Sequence, residues 1–230
     1  MKFTLAITTY NRDILTLDSF CQVLNDSRVN EVIIVDDCSD GKYFDRIVHL
    51  LTTYDSLKIK LHRNESNLGM MLNKRRAVEC SSNEWVILFD SDNIITSQYL
   101  DAIPKDLDPN VIYCPSFARP HFDYRKFSGK MINIPEAKKM MADRMGNACF
   151  NTCNYLVHRD TYLKVFQPDP NVRATDTISF NYQWLKSGRQ FFVVPGMEYD
   201  HRVHDGSGFM ADADFNMRKA EEYKQKILAL

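Results

Sequence analysis

The sequence predicts an α/β fold built on a Rossmann-like, mostly parallel central sheet flanked by helices. Two observations carry that prediction. In the first half of the chain, short apolar runs of strand length alternate with stretches of helical spacing, the order that βαβ units impose. Polar, carboxylate-rich segments directly follow three of those runs, where the strands of such a sheet present ligand-binding residues.

In order, residues 3–9 read as a strand, 14–24 as a helix, 31–35 as a short buried strand and 44–51 as a helix. Residues 57–61 read as extended, 68–80 as a helix and 84–89 as another apolar strand. Right-handed crossovers between parallel strands then cover the sheet on both faces. The second half is less regular. Residues 111–117 read as a strand, 119–129 as an aromatic and basic loop, and 135–141 as a helix. An extended piece at 155–157 leads into a helix at 159–165, and a helix at 175–186 stops at Ser187-Gly188. Residues 191–194 make a strand and 212–230 a polar closing helix. With no repeats, low-complexity tracts or evident linkers, the 230 residues are expected to form a single domain.

Composition narrows the function. With 29 basic and 30 acidic residues, the formal net charge of −1 gives no whole-protein field for nucleic acid, so an anionic ligand must be held locally. Cys21, Cys38, Cys80, Cys114, Cys149 and Cys153 form no C-x-x-C and read as buried thiols in a reducing compartment. No apolar run approaches a signal peptide or membrane span. The expectation is a cytoplasmic protein with no integral membrane segment.

The segments that follow strands are Thr8-Thr9-Tyr10-Asn11-Arg12, Asp36-Asp37-Cys38-Ser39-Asp40 and Asp90-Ser91-Asp92-Asn93. Helix capping accounts for one such residue per loop and poorly for acidic pairs after two strands. Asp90 and Asp92, one residue apart beyond an apolar strand, can point into one crevice. Carboxylates repel a diphosphate unless a divalent cation sits between them. Mg²⁺ and Mn²⁺ combine one or two carboxylates with substrate phosphates. Alone, a D-x-D reads equally well as a solvated loop.

These segments, in order with Asn67-Leu68-Gly69 and the stretch 85–93, resemble the motifs of family 2 glycosyltransferases, inverting enzymes of the GT-A fold. The resemblance is close over residues 1–100 and looser through Ala174-Thr175-Asp176 and His201-Arg202-Val203-His204-Asp205-Gly206-Ser207. It implies a nucleotide-sugar-binding half at 1–100 and an acceptor-binding half at 101–230. Thr8 and Tyr10 would cradle the base, Tyr10 by stacking, and Asp37 would read a ring N–H while Asp36 supports the loop. Arg12, Asn67 and Ser91 join them as nucleotide-sugar-binding residues.

Asp90 and Asp92 match the D-x-D pair, with Asp92 the stronger metal ligand and Asp90 nearer the ribose or the metal. Where the family often has Arg or Asn after the Asn-x-Gly turn, this chain has Asn73-Lys74-Arg75-Arg76; Lys74 counts among the donor-binding candidates, and Arg76 equally fits a solvated helix face. Asp176 stands at the position of the catalytic base, with Thr175 in place of the family's glutamate. The helix dipole alone also accounts for an aspartate there. His204 matches a third metal or diphosphate ligand, whereas His201 stands where the family has tyrosine and reads as an ordinary surface or core residue. Trp184, at helical spacing, reads as core.

The resemblance implies sugar transfer from a nucleoside-diphosphate sugar to a hydroxyl of a glycan, glycoprotein or glycolipid, with Mn²⁺ or Mg²⁺ as cofactor. Asp37 puts UDP ahead of dTDP and leaves GDP open. A sugar nucleotidyltransferase is a second reading, although its Gly-rich phosphate loop is missing after the first strand. An inactive nucleotide-sugar- or glycan-binding domain is a third, kept open by Thr175.

Overall fold

The computed structural model describes residues 1–54, 57–204, 206 and 208–230. Its first half alternates as the apolar runs dictate: β1 (Phe3–Thr9), α1 (Ile14–Asp18), β2 (Val29–Asp36), α2 (Gly41–Leu51), β3 (Ile59–Arg63), α3 (Met70–Cys80) and β4 (Trp85–Asp90). Parallel pairing joins these four strands in the order β3-β2-β1-β4. The register places Thr9 beside Asp36 and Thr8 beside Asp90, so the three strands end on one edge. The loops after them therefore meet there.

The remaining elements are β5 (Ile94–Ile95), α4 (Ser97–Asp101), β6 (Val111–Arg119), β7 (Phe122–Asp123), β8 (Met131–Ile132), α5 (Ile134–Met141), α6 (Arg144–Phe150), β9 (Tyr155–His158), α7 (Arg159–Val165), α8 (Asp176–Lys186), β10 (Gln190–Asp200) and α9 (Ala213–Leu228). They extend the sheet to β3-β2-β1-β4-β9-β6-β10-β5, with β7 on β6 and β8 on β10. β9 runs antiparallel to β4 and β6, while β6 and β10 are parallel. The result is a mostly parallel sheet flanked by helices, with its core strands buried.

Three expectations change. Residues 14–24 do not form one helix: α1 stops at Asp18, Phe20 turns inward to full burial, and a 3-10 turn follows at Cys21–Val23. Burying Phe20 outweighs helical continuity, and Ser19 satisfies the frayed end by donating to the Thr16 carbonyl at 2.6 Å. The strand expected at 191–194 runs on to Asp200 through a register shift between Val194 and Glu198, where Gly196 has φ 75°. The bulge lets the strand pass Pro195, which cannot donate to the ladder. The cysteines are not uniformly buried: Cys114, Cys149 and Cys153 are, but Cys21 is exposed and Cys38 and Cys80 are half-buried.

Trp184 lies in the core, fully buried, with its indole N–H donating to the Gln190 carbonyl at 2.8 Å. Among the described residues no helix is long and apolar enough to cross a membrane.

Candidate active site

Asp92 sits just beyond β4. Its Oδ2 lies 3.1 Å from Arg12 Nη1 and 3.1 Å from His204 Nε2, and its Oδ1 accepts from Asn93 Nδ2 at 3.1 Å. His204 Nδ1 accepts the Gly206 N–H at 3.1 Å, which puts a proton on Nε2 to donate to Asp92. Arg12 also donates to the Gly206 carbonyl at 3.0 Å, so the turn after β1 and the segment after β10 clasp one carboxylate. Ser91 lies 3.5 Å from Arg12, at the edge of hydrogen-bond reach. Asp205 and Ser207 lie outside the described residues.

Lys74 projects from α3 into the interior and bridges two carboxylates. Its Nζ is 2.9 Å from Asp176 Oδ2, 3.2 Å from Asp90 Oδ1 and 3.3 Å from Thr177 Oγ1. Burial opposes the Lys74 charge, but Asp176 and Asp90 more than offset it and hold the ammonium well above its ordinary pKa. Burial pushes the Asp90 carboxyl up; Lys74 pulls the other way, and the nearby Asp92 and Asp176 add to the rise. Lys74 thus ties the first residue of α8 to the end of β4, where its ammonium is almost wholly enclosed. Asp176, 4% exposed, also receives the favourable end of the α8 dipole. Arg75 and Arg76 turn outward toward Glu79.

A cleft of about 590 Å³, within the ordinary range for small-molecule sites, opens between residues 67–72 and the loop 168–173; it shares the sheet edge of these clusters through Tyr10 and Asp37, although none of the cluster residues lines it. Tyr10, 47% exposed, stands at its edge, and Asp37 and Asn67 line it. Asp37 Oδ1 accepts from the Leu68 N–H at 2.8 Å and from Asn64 Nδ2 at 2.9 Å. Its Oδ2 accepts the Gly69 N–H at 2.9 Å, leaving that oxygen one acceptor position among the described residues. Asn67 Oδ1 shares the Gly69 N–H at 3.0 Å, and Gly69 takes φ 80°, which favours glycine and delays α3 to Met70. Asp36 is satisfied by Ser39 of its own loop and by Arg63 at the end of β3. Thr8 is half-buried in β1, beside Asp90 in register.

The structure thus brings together Arg12, Asp92 and His204 in one group and Lys74, Asp90 and Asp176 in an adjoining one. Tyr10, Asp37 and Asn67 line the cleft. His201 meets His121, Nδ1 to Nδ1, at 3.0 Å, within reach of the Asp92 charge. Asp92 would supply an oxygen, and His204 its Nε2 once the ring proton moves to Nδ1 and the Gly206 N–H is released; with side chains 20% and 19% exposed, that pair fits a divalent cation tolerant of imidazole. Among the described residues, no group of three ligand side chains converges; Asp90 is held by Lys74 instead.

Two supporting residues carry no sequence signal strong enough to predict their role. Asn154 takes φ 65° and accepts the Asp90 N–H on Oδ1 at 2.7 Å. Arg202 donates to the carbonyls of Asp92 at 2.7 Å and Leu15 at 2.8 Å, bracing the D-x-D loop from behind. The Arg-x-His spacing marked Arg202, but its carbonyl partners lie far away in sequence.

Comparison with known proteins bears on the fold and the family. No curated protein matches the chain by sequence. TarS residues 1–349 from S. aureus superposes with TM-score 0.68 at 18% identity, covering 100% of this chain and 70% of that one. The mannosyltransferase PcManGT from Pyrobaculum calidifontis, solved with GDP-Man and Mn²⁺, gives 0.69 at 15% identity, covering 98% and 68%. GalNAc-T7, solved with UDP, GalNAc and Mn²⁺, gives 0.65 at 13% identity, covering 90% and 44%. These likenesses show the GT-A fold. The family profile described as Glycosyl transferase family 2 matches residues 4–166, a span that holds Asp37, Lys74, Asp90 and Asp92 and stops before Asp176 and His204. With well over half of its length in that match, the chain belongs to glycosyl transferase family 2 and is a glycosyl-transfer enzyme.

Proposed function

We propose that the enzyme is a metal-dependent, inverting glycosyltransferase that moves a sugar from a UDP-sugar to a hydroxyl of a glycan, glycoprotein or glycolipid. One observation carries the reading: Asp176 is tied through Lys74 to the same strand end that presents Asp90 and Asp92. A proton acceptor and a diphosphate-facing acidic loop therefore share one edge of the sheet.

Asp37 supports the choice of base. A single open acceptor position suits the one ring N–H of uracil or thymine, whereas the guanine edge presents two adjacent donors. Tyr10 offers its ring for stacking at the cleft edge. Asp92 and His204 would hold the divalent cation, and PcManGT and GalNAc-T7 were both solved with Mn²⁺. Bound there, the metal would stabilise negative charge on the departing nucleoside diphosphate. Arg12, 3.1 Å from Asp92, adds a fixed positive charge beside the leaving group. Asp176 takes the proton of the acceptor hydroxyl as that oxygen attacks the face opposite the diphosphate, and Lys74 fixes where the carboxylate lies. Thr8, Asn67 and Ser91 shape the donor side of the crevice.

The test is a turnover screen of UDP-, dTDP- and GDP-sugars with Mn²⁺ or Mg²⁺, reading nucleotide release. A UDP-sugar is expected to turn over, to stop under excess chelator and to recover when Mn²⁺ is restored. Full rate in saturating chelator removes the metal, and preference for a GDP-sugar removes the assignment of Asp37.

A further inference from the structure

A donor diphosphate brings negative charge into a region already crowded with carboxylates, so the cations that can meet it are worth counting. Lys74 is enclosed and shared between Asp90 and Asp176. Arg202 is spent on the carbonyls of Asp92 and Leu15, and Arg63 on Asp36 and the Ser39 carbonyl. Arg12 is divided between Asp92 and Gly206. Among the described residues lining the cleft, Arg173 is the single cation.

Arg173 comes from the second half of the chain. Its loop is stiffened by Pro168 and Pro170 and pinned to the body of the protein. Asp169 accepts from the Tyr223 hydroxyl and the Asn171 N–H, and its own N–H meets Met71 Sδ at 3.4 Å on the opposite wall. At rest the Arg173 guanidinium pairs with Asp212 and lies 4.7 Å from the Phe215 ring centre, with its side chain 65% exposed. An exposed pair of this kind is weak and readily exchanged. A phosphate, with several charged oxygens, suits the planar guanidinium better than a lone solvated carboxylate.

We propose that Arg173 grips the diphosphate of the donor, releasing Asp212 to do so. The inference rests on the reading of this cleft as the nucleotide site. Because the loop runs directly into α8, the grip would place bound donor and Asp176 on one continuous segment.

Calorimetric titration of the whole chain with UDP and with uridine, both with Mn²⁺, separates the two ideas. Arg173→Ala is expected to weaken UDP about tenfold or more and uridine by less than about twofold, since only UDP carries the phosphates. Arg173→Lys should retain part of the UDP affinity, and Asp212→Asn should raise it about two- to fivefold by freeing the guanidinium. Undiminished UDP binding by Arg173→Ala overturns the proposal while leaving the nucleotide site intact. So does an equal loss for UDP and uridine. If Asp37→Ala binds UDP as tightly as the unaltered protein does, the reading of the cleft itself fails.

Discussion

The two ends of the parallel strands both carry carboxylates and use them in opposite ways. At the amino end, Glu31 of β2 is 3% exposed and accepts from the Thr4 hydroxyl at 2.5 Å, Lys60 Nζ at 2.7 Å, the Ser82 N–H at 2.7 Å and the Ser82 hydroxyl at 2.9 Å. Its four lone-pair positions are filled from within the fold. At the carboxyl end, Asp90 and Asp92 keep side chains 29% and 20% exposed, and their charge is balanced by Lys74 and by Arg12 with His204. A carboxylate saturated by its own fold holds strands together, whereas one left with open positions beside a cleft can take a ligand. Composition cannot separate the two; counting partners does.

The sharpest way to break this contrast is Asp176→Asn. The amide oxygen can still accept from Lys74, so the buried ammonium keeps a partner and the fold should survive. The proton acceptor is gone. We expect kcat to fall about 10²–10⁴-fold, the usual contribution of a general base, with UDP affinity changed by less than about twofold. Steady-state turnover alongside UDP titration checks both. Near-normal turnover would move the base elsewhere and place Asp176 with Glu31 as a structural acid.

The reverse result is expected at the other end. In Glu31→Gln, an amide nitrogen on the Ser82 side would face the Ser82 N–H, so it turns toward Lys60, whose half-exposed side chain swings into solvent. The cost is one charge-assisted hydrogen bond, about 1–2 kcal/mol, or a melting temperature lower by roughly 2–8 °C for a chain of this size. Turnover at 25 °C should be unchanged. A loss of kcat without a loss of stability would show that the two ends are not independent.

How far the sequence revealed these roles depends on the range of the interaction. The apolar runs of β1, β2 and β4 stop at polar residues, so the strand ends, the D-x-D and the start of α8 at Asp176 are readable locally. Parallel register does the rest by setting Thr9 beside Asp36 and Thr8 beside Asp90. The break after Asp18 was not readable, because it follows from where Phe20 finds burial in the finished fold. Nor was the destination of Lys74: in sequence it sits among Asn73, Arg75 and Arg76, and only packing of α3 near α8 sends it inward. Arg173 offered no periodicity or motif at all; its place in the cleft comes from a loop pinned by Tyr223 of the last helix.

The smallest effect is a pH dependence, and its sign follows from the saturation of Glu31. Burial alone would raise this carboxyl, but Lys60, Thr4 and Ser82 outweigh it and hold the folded pKa below the ordinary value. In the unfolded chain the group titrates near about 4.3. Above that value it is ionised in both states and its stabilisation is fully present. As pH falls, the unfolded state takes up the proton first, so the contribution declines and is lost as pH passes through the folded pKa. Other acids behave alike, Asp26 among them, lowered to about 2 mainly by its hydrogen bond from Arg28, so the original protein alone does not isolate the effect. The difference in urea stability between it and Glu31→Gln does. That difference should be flat from neutral pH to about 5.5 and shrink below about 4.3. A gap that stays constant down to pH of about 3 would mean Glu31 gains nothing from its charge, and its four donors would be serving shape alone.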